Sequence, residues 1–190
     1  MLLSAYVAIG QSGTPKAQHS LPDESVALVT RLYDQVIARH PIGIPQGEDL
    51  KVFAPYLSSS LLHKLDLYRA CTSDWDRKNA GSEMILKSPV GLFEHGIFSG
   101  PDEQAKPQTF HIEKTQREDN GRLRVKVRLT SVSPPAPRLV WHVAVLVSQE
   151  RGQFVVDDIV YLKDENRSTD ERLTEYFSVR CQGSTYVGAQ

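Results

Sequence analysis

Two adjacent carboxylates interrupt an apolar stretch late in the sequence, VVDDIVY over residues 155–161. Successive side chains of a β-strand point to opposite faces, so either Asp157 or Asp158 must face the apolar side of this strand. A carboxylate taken out of water is costly unless it is paired or protonated, and such groups are enriched at functional sites. The aspartate pair is therefore the first place in the chain where acid–base chemistry is expected.

A predicted hairpin brings further polar groups to these carboxylates. The Arg-Gly pair at 151–152 is taken as its turn. Pairing outward from this turn places Asp157 opposite Leu146. It also places His142 opposite Tyr161, on the same face. An acid, an imidazole and a phenol that line one pocket could transfer protons in an isomerisation or a dehydration.

The catalytic candidates are therefore Asp157, Asp158, His142 and Tyr161. A structural interpretation competes with this one: one aspartate caps a neighbouring loop or pairs with an arginine, while the other is solvated. Perturbed carboxylates also occur in purely structural networks, so both interpretations stay open.

Other common chemistries lack their residues. The six histidines show no paired metal spacing, such as two on one helix face, so we predict no metal site and no cofactor. There is no Gly-x-Ser-x-Gly elbow and no glycine-rich loop that would cradle a phosphate. The two cysteines, Cys71 and Cys181, are either a long-range disulfide, which implies an oxidising compartment, or two unrelated thiols.

A second pattern places a cation at every second position of GRLRVKVRLTS, residues 121–131. If Asn120 and Gly121 form a two-residue turn, Glu113 lies opposite Arg128, and opposed charges of this kind stabilise a strand pair. This pattern is typical of the solvated face of a sheet. The alternative is a surface that meets an acidic protein partner. This cation ladder consists of Arg122, Arg124, Lys126 and Arg128.

Composition limits the classes of protein to consider. The chain has 190 residues, 22 Lys and Arg against 23 Asp and Glu, and a net charge of -1, so it lacks the basic excess of a nucleic-acid binder. No apolar run is long enough for a transmembrane segment. Residues 1–22, which begin MLLSAYVAIGQSG, are interpreted as a flexible segment that is either a signal-peptide remnant or a first strand, because no basic residue precedes the apolar run.

The elements that must position these residues form one α+β domain over 23–190. Helical spacing predicts a helix from Pro22 to Arg39 and a second from Leu57 to Lys78. A period of two then predicts four antiparallel strands at 108–118, 122–132, 138–149 and 152–162, followed by a closing helix at 168–180. Helices followed by a meander indicate helices packed on one face of an antiparallel sheet. Aromatic candidates for lining a ligand pocket are Tyr33, Tyr68, Trp75 and Trp141.

Several stretches resemble a known superfamily. LYDQVIARHP, APYLSSSLLHKL, GIFSGP, GQFVVDDIVYL and RCQGSTYVG, at 32–41, 54–65, 96–101, 152–162 and 180–188, are similar to a family of uncharacterised, often exported bacterial proteins. That family has the nuclear-transport-factor-2-like, cystatin-like fold. The resemblance implies a curved sheet that forms a cone with its helices and encloses a pocket. It names no catalytic residue, because the superfamily hosts enzymes, binding modules and scaffolds.

The resemblance also implies a compartment and a class of function. Together with the cysteine count it predicts a Cys71–Cys181 disulfide and a periplasmic or extracellular location, with a cytoplasmic one still open. We expect a non-enzymatic envelope binding module for a small apolar ligand or a protein partner, in one version an immunity-type protein that neutralises a toxin. The alternatives are an isomerase- or dehydratase-like enzyme that uses Asp157 or Asp158 as its base, and a homodimeric scaffold.

Overall fold

The computed structural model describes residues 21–81, 93, 95–100, 106–133, 135, 137–163 and 168–187. Of the predicted N-terminal segment, residues 1–20 lie outside these ranges, and the first helix begins at Leu21. No helix within them is long and apolar enough to cross a membrane.

The helical elements within these ranges are α1 (Leu21–Arg39), α2 (Gly47–Phe53), a 3₁₀ turn (Ala54–Tyr56), α3 (Ser59–Asn79) and α4 (Leu173–Arg180). Helix α1 ends before His40, which has φ +46 and precedes Pro41, because a left-handed residue followed by proline stops a helix. Helix α3 begins after Ser58, whose hydroxyl caps it by accepting a hydrogen bond from the Leu61 N–H at 3.0 Å. The sequence predicts no helix at α2, since the prolines and glycines that precede it are typical of a loop.

A five-stranded antiparallel sheet follows the first three helices and confirms the α+β class. Its strands lie in chain order: β1 (Thr109–Arg117), β2 (Leu123–Ser131), β3 (Leu139–Glu150), β4 (Gln153–Tyr161) and the short β5 (Glu171–Arg172). Strand β5 was not predicted, because its two residues fall inside the expected closing helix. Two further short strands, β6 (Cys181–Gln182) and β7 (Thr185–Tyr186), form a separate hairpin.

The β1–β2 hairpin exists as predicted, but its predicted register is wrong. The Gly121 N–H donates to the Glu118 carbonyl at 2.9 Å, and the Glu118 N–H donates to the Arg122 carbonyl at 2.8 Å. These bonds enclose three residues rather than two, with Gly121 at φ +84. Gln116 rather than Arg117 therefore pairs with Arg124, and Glu113 becomes an extra, bulged residue between Ile112 and Lys114.

The β3–β4 hairpin turns as predicted, with Arg151 and Gly152 at φ +50 and +80, both in the left-handed region that a two-residue turn requires. Its register holds from Glu150–Gln153 to Val147–Val156, and a bulge at Asp157 then shifts it by one residue. Asp158, not Asp157, therefore lies opposite Leu146, and Val143, not His142, lies opposite Tyr161.

The core lies between one face of the sheet, the inner face, and helices α1 and α3. Its buried residues include Leu32, Val36, Leu61, Leu65, Val125, Val127, Val145 and Ile159. The other face, the outer face, carries the cation ladder and a small buried cluster of Ala144, Leu146 and Val160. Tyr161 belongs to the inner face and His142 to the outer one, because the bulge at Asp157 reverses the predicted alternation.

Candidate functional site

Asp158 is a buried carboxylate, as one aspartate of the pair must be. It is 4% exposed and accepts hydrogen bonds from the Ile159 N–H at 2.9 Å and from the Thr174 hydroxyl at 2.7 Å. The Thr174 N–H also donates to it, at 3.3 Å, and Thr174 lies in the first turn of α4. The first N–H groups of a helix have no intrahelical acceptor and carry a partial positive charge. Asp158 therefore caps α4 from the sheet.

Asp157, the bulged residue of β4, connects three elements. Its carboxylate lies 2.5 Å from a guanidinium nitrogen of Arg122, just before β2. It also accepts a hydrogen bond from the Ser58 hydroxyl at 3.0 Å, while the Ser58 N–H donates to the Val156 carbonyl at 2.8 Å. Because Ser58 caps α3, Asp157 couples the start of that helix to the sheet. The arginine partner and the cap are contacts that the structural interpretation expected, but its solvated aspartate is wrong, because the side chain of Asp157 is only 12% exposed and Asp158 is buried.

His142 contacts Glu113 on the outer face, with its Nε2 atom 3.4 Å from the carboxylate. Glu113 also pairs with Lys126 at 3.0 Å and Arg128 at 3.8 Å. The hydrogen bond from Lys126, followed by the contact with His142 and the charge of Lys126, holds the pKa of the Glu113 carboxyl below its ordinary value. The bulge in β1 thus brings one carboxylate to three basic side chains.

The rest of the cation ladder is also paired within the chain. Arg124 lies 3.1 Å from Asp170 and 3.6 Å from Glu118, while Arg122 pairs with Asp157. Each of the four cations therefore has a carboxylate neighbour. A role for the ladder in binding an acidic partner stays a prediction. Such a partner would have to compete with these carboxylates for the four cations.

Two of the aromatic pocket candidates, Tyr33 and Trp141, and the catalytic candidate Tyr161 hold one turn at residues 97–99. The Tyr161 hydroxyl donates to the Ile97 carbonyl at 2.8 Å, and the Tyr33 hydroxyl donates to the Phe98 carbonyl at 2.8 Å. The Trp141 indole N–H donates to the Ser99 carbonyl at 2.7 Å. Burial raises the pKa of Tyr33 above its ordinary value, which keeps the phenol protonated as a donor.

This turn at 97–99, the aromatic-held turn, is part of the core. Ile97 and Phe98 are fully buried, and Phe98 packs on Phe53 with ring centroids 4.7 Å apart. The backbone of Gly96 lies so close to the chain at Pro41 that an added Cβ atom would stand 2.5 Å from the Pro41 carbonyl oxygen. Only glycine permits that approach, and Gly96 also has φ +79.

The other two aromatic candidates, Tyr68 and Trp75, lie on α3 beneath the end of the chain. Tyr68 stacks on Phe177 of α4 at 4.4 Å, and Trp75 meets Tyr186 of β7 edge-on at 6.3 Å. The predicted Cys71–Cys181 disulfide is present and joins α3 to β6. We call the segment 181–187, with strands β6 and β7, the C-terminal hairpin.

Asp74 also attaches the C-terminal hairpin to α3, through a hydrogen bond and ion pairs. It accepts a hydrogen bond from the Tyr186 N–H at 3.1 Å and pairs with Lys78 at 2.7 Å and with Arg77. Lys78 in turn donates to the Tyr186 carbonyl at 3.3 Å. The hydrogen bond from Lys78, followed by that from Tyr186, lowers the pKa of the Asp74 carboxyl. Cys71, Asp74, Trp75 and Lys78 share one face of α3, since they are three or four residues apart.

The four catalytic candidates are not brought together. Tyr161 lies on the inner face, while His142 and Asp158 belong to the outer one. Asp158 pairs with Leu146, four residues along β3 from His142, which corresponds to roughly 13 Å at the rise of a strand. Among the residues that the structure describes, no group of three or more histidine, cysteine or acidic side chains could hold a metal ion.

One surface feature escaped prediction. An open groove of about 560 Å³ lies between α1, the 3₁₀ turn and the tip of the β3–β4 hairpin. Its lining includes Glu24, Ala27, Leu28, Arg31, Tyr56 and Phe154. Glu24, Ala27, Leu28 and Arg31 recur at the spacing of one helix face, a signal present in the sequence. The opposite wall comes from residues far away in the chain, which helical periodicity alone could not supply. We call this feature the α1 groove.

Comparison of the chain with protein-family models, with curated proteins and with solved structures found no match. The resemblance to the nuclear-transport-factor-2-like superfamily therefore stays a prediction.

Proposed function

We propose that this protein is a non-enzymatic binding module that recognises another protein at its surface. The observation that carries the proposal is the filling of the space between the inner face and the helices. A ligand pocket needs room lined by convergent polar groups. Among the described residues, large side chains that are fully buried occupy this space, including Tyr33, Phe53, Phe93, Ile97, Phe98 and Tyr161. In the cone expected from the family resemblance, a small apolar ligand would have to displace them.

The polar candidates support a binding module rather than an isomerase or dehydratase. A general acid or base must reach the substrate proton within hydrogen-bonding distance, with other groups converging on the same cavity. Asp158 caps α4, Asp157 pairs with Arg122 and Ser58, and these bonds stabilise the fold. The Tyr161 hydroxyl already donates a hydrogen bond to the Ile97 carbonyl. Breaking these contacts for catalysis would leave buried groups without partners.

The disulfide supports the location that we propose, the periplasm or the extracellular space. Disulfides persist in oxidising compartments and are uncommon in the cytosol. An immunity-type inhibitor and a homodimeric scaffold are both versions of a protein-binding module. They differ only in whether the partner is a foreign protein or a second copy of the chain.

Native mass spectrometry of the protein, isolated gently from its own host, tests the proposal. We expect a stoichiometric complex with a protein and no discrete small-molecule mass on the free chain. A small molecule bound at one copy per chain would contradict the proposal and favour the internal-pocket alternative. Benzene added to the purified protein should not raise its melting temperature, since buried side chains already occupy the core of the described residues.

A cavity variant provides the positive control for that second measurement. Leu129 is fully buried in the inner face, and Leu129→Ala would leave an apolar cavity at a cost of about 2–5 kcal/mol. Apolar cavities of this kind stay dry and can bind benzene. Stabilisation of this variant by benzene, without stabilisation of the wild type, would confirm that the native interior is filled.

A further inference from the structure

The α1 groove combines an apolar floor with two charged ends. Leu28 is 4% exposed and forms part of the floor, and half-buried Tyr56 and Phe154 form part of the opposite wall. Glu24 and Arg31 stand seven residues apart on the same face of α1, which corresponds to roughly 10 Å along the helix axis. The groove therefore has a negative end, an apolar middle and a positive end.

The charges of the groove differ from those of the cation ladder in their availability. Every ladder cation has a carboxylate neighbour, and Arg39 at the end of α1 pairs with Asp49 at 2.7 Å. Within the described part of the chain, neither Glu24 nor Arg31 belongs to an ion pair. A partner can therefore pair with the groove charges without first displacing a carboxylate or ammonium of the described residues.

We infer that the α1 groove binds an extended segment of a partner protein in which an apolar pair is flanked by one basic and one acidic residue. In the polyproline II conformation, which is extended and has three residues per turn, residues three apart point to the same side and lie roughly 9 Å apart, close to the separation of Glu24 and Arg31 along the helix. The basic residue then faces Glu24 and the acidic residue faces Arg31, while the apolar pair between them lies over Leu28, Tyr56 and Phe154. This inference rests on the proposed function and names the chemistry of its partner.

Three synthetic peptides test the inference. They share a Leu-Phe centre and glycine ends, and their flanking residues are Lys and Glu, Lys and Lys, or Glu and Glu. Binding is followed at low ionic strength by the amide chemical shifts of the full ¹⁵N-labelled chain. We expect the Lys/Glu peptide to bind tightest, with Kd rising roughly threefold for each mismatched charge, the effect of an exposed ion pair. The perturbed amides should belong to α1, the 3₁₀ turn and residues 152–154.

Charge-reversal variants make the test independent of the direction in which a peptide lies. Glu24→Lys should shift the preference to the Glu/Glu peptide, and Arg31→Glu should shift it to the Lys/Lys peptide. The matched control is Glu48→Lys on exposed α2, which makes the same charge change outside the groove and should keep the wild-type preference. Salt should flatten all these preferences, because exposed charges are screened.

Several results would overturn the inference. These are equal affinity of the wild type for the three peptides, absence of binding at millimolar peptide, and shifts confined to the cation ladder. If the protein complex isolated from the host survives both Glu24→Lys and Arg31→Glu, the groove is not its docking site, yet the proposed function stands. If the host yields no protein complex, the proposed function fails separately.

Discussion

Two segments are attached to the helix-and-sheet framework by different chemistry. The aromatic-held turn at 97–99 receives three hydrogen bonds from the neutral donors Tyr33, Trp141 and Tyr161, with Ile97 and Phe98 fully buried. The C-terminal hairpin is attached to α3 by a covalent bond, by the ion pairs of Asp74 and by an edge-on aromatic contact at the surface.

The two kinds of attachment resist different conditions. Neutral donors in a buried site are insensitive to salt, to reductant and to pH over the range in which proteins are usually handled. A disulfide responds to reductant, and a carboxylate that accepts charged hydrogen bonds responds to acid and salt. The two segments should therefore detach from the framework under different treatments: the C-terminal hairpin in reductant, acid or salt, and the aromatic-held turn in none of these.

The largest effect is expected from removal of the disulfide. The bond closes a loop with a sequence separation of 110 residues, for which chain entropy gives about 4–5 kcal/mol. Urea unfolding of the Cys71→Ser, Cys181→Ser double variant should show that loss, and dithiothreitol should produce it in the wild type only. Hydrogen exchange should speed up at 181–187 and stay slow at 97–99. Unchanged protection of the hairpin would show that its polar contacts suffice.

A smaller effect is expected in the aromatic-held turn. Tyr161→Phe leaves the Ile97 carbonyl buried without that donor, which should lower the free energy of unfolding by about 1–3 kcal/mol. The loss should be the same with and without reductant or added salt. Tyr56→Phe is the matched control, because Tyr56 is half-buried and its hydroxyl makes no hydrogen bond within the described residues. A Tyr161→Phe variant as stable as this control would show that the Tyr161 hydroxyl does not stabilise the turn.

The smallest effect is expected from Asp74→Asn, and it should depend on pH. The pKa of Asp74 is lowered in the folded protein, so its contribution is full above the ordinary value of 3.8. That contribution disappears as pH falls through the lowered value. The protection factor of the Tyr186 amide, which compares its exchange rate with that of an unstructured amide at the same pH, should therefore fall in acid in the wild type. In Asp74→Asn the protection factor should already be low at neutral pH and change little in acid.

Asp76→Asn serves as the control for that measurement. Asp76 is an exposed carboxylate two residues away on α3 and should leave the exchange of Tyr186 unchanged at every pH. Equal effects of the two variants would mean that the general charge of the helix end, and not the bond to Tyr186, holds the hairpin.

The fold could be predicted from the sequence where local chemistry decides it. Apolar spacing identified α1 and α3, and the Arg-Gly pair at 151–152 identified the turn between β3 and β4 with its correct initial register. The bulges at Glu113 and Asp157 could not be predicted, because each depends on partners far away in the chain. Asp157 leaves the regular strand pairing of β3 and β4 and contacts Arg122 and Ser58. Both residues are far away in the sequence, so no local pattern indicates the bulge.

The candidate site was less predictable than the fold for a physical reason. The three aromatic donors bind the aromatic-held turn through the backbone carbonyl oxygens of residues 97–99. Every residue has such an oxygen, so the sequence of the turn does not indicate that it accepts these hydrogen bonds. The donors Tyr33, Trp141 and Tyr161 were identified as chemically capable residues, but their acceptors decide what they do. The spacing of residues on α1 indicates the helix face that lines one side of the groove. The other wall comes from distant parts of the chain and can be identified only in the folded structure.

The distance between the two cysteines along the chain has a consequence for biosynthesis. At a synthesis rate of about 5–20 residues per second, Cys181 follows Cys71 out of the ribosome after roughly 5–20 seconds. Until then the Cys71 thiol has no partner in its own chain, since the protein contains two cysteines. Once Cys181 arrives, only one intramolecular pairing exists, so oxidation within the chain needs no isomerase to correct it. The risk before Cys181 arrives is instead a mixed disulfide of Cys71 with another molecule. That bond would leave the C-terminal hairpin without its covalent attachment to α3.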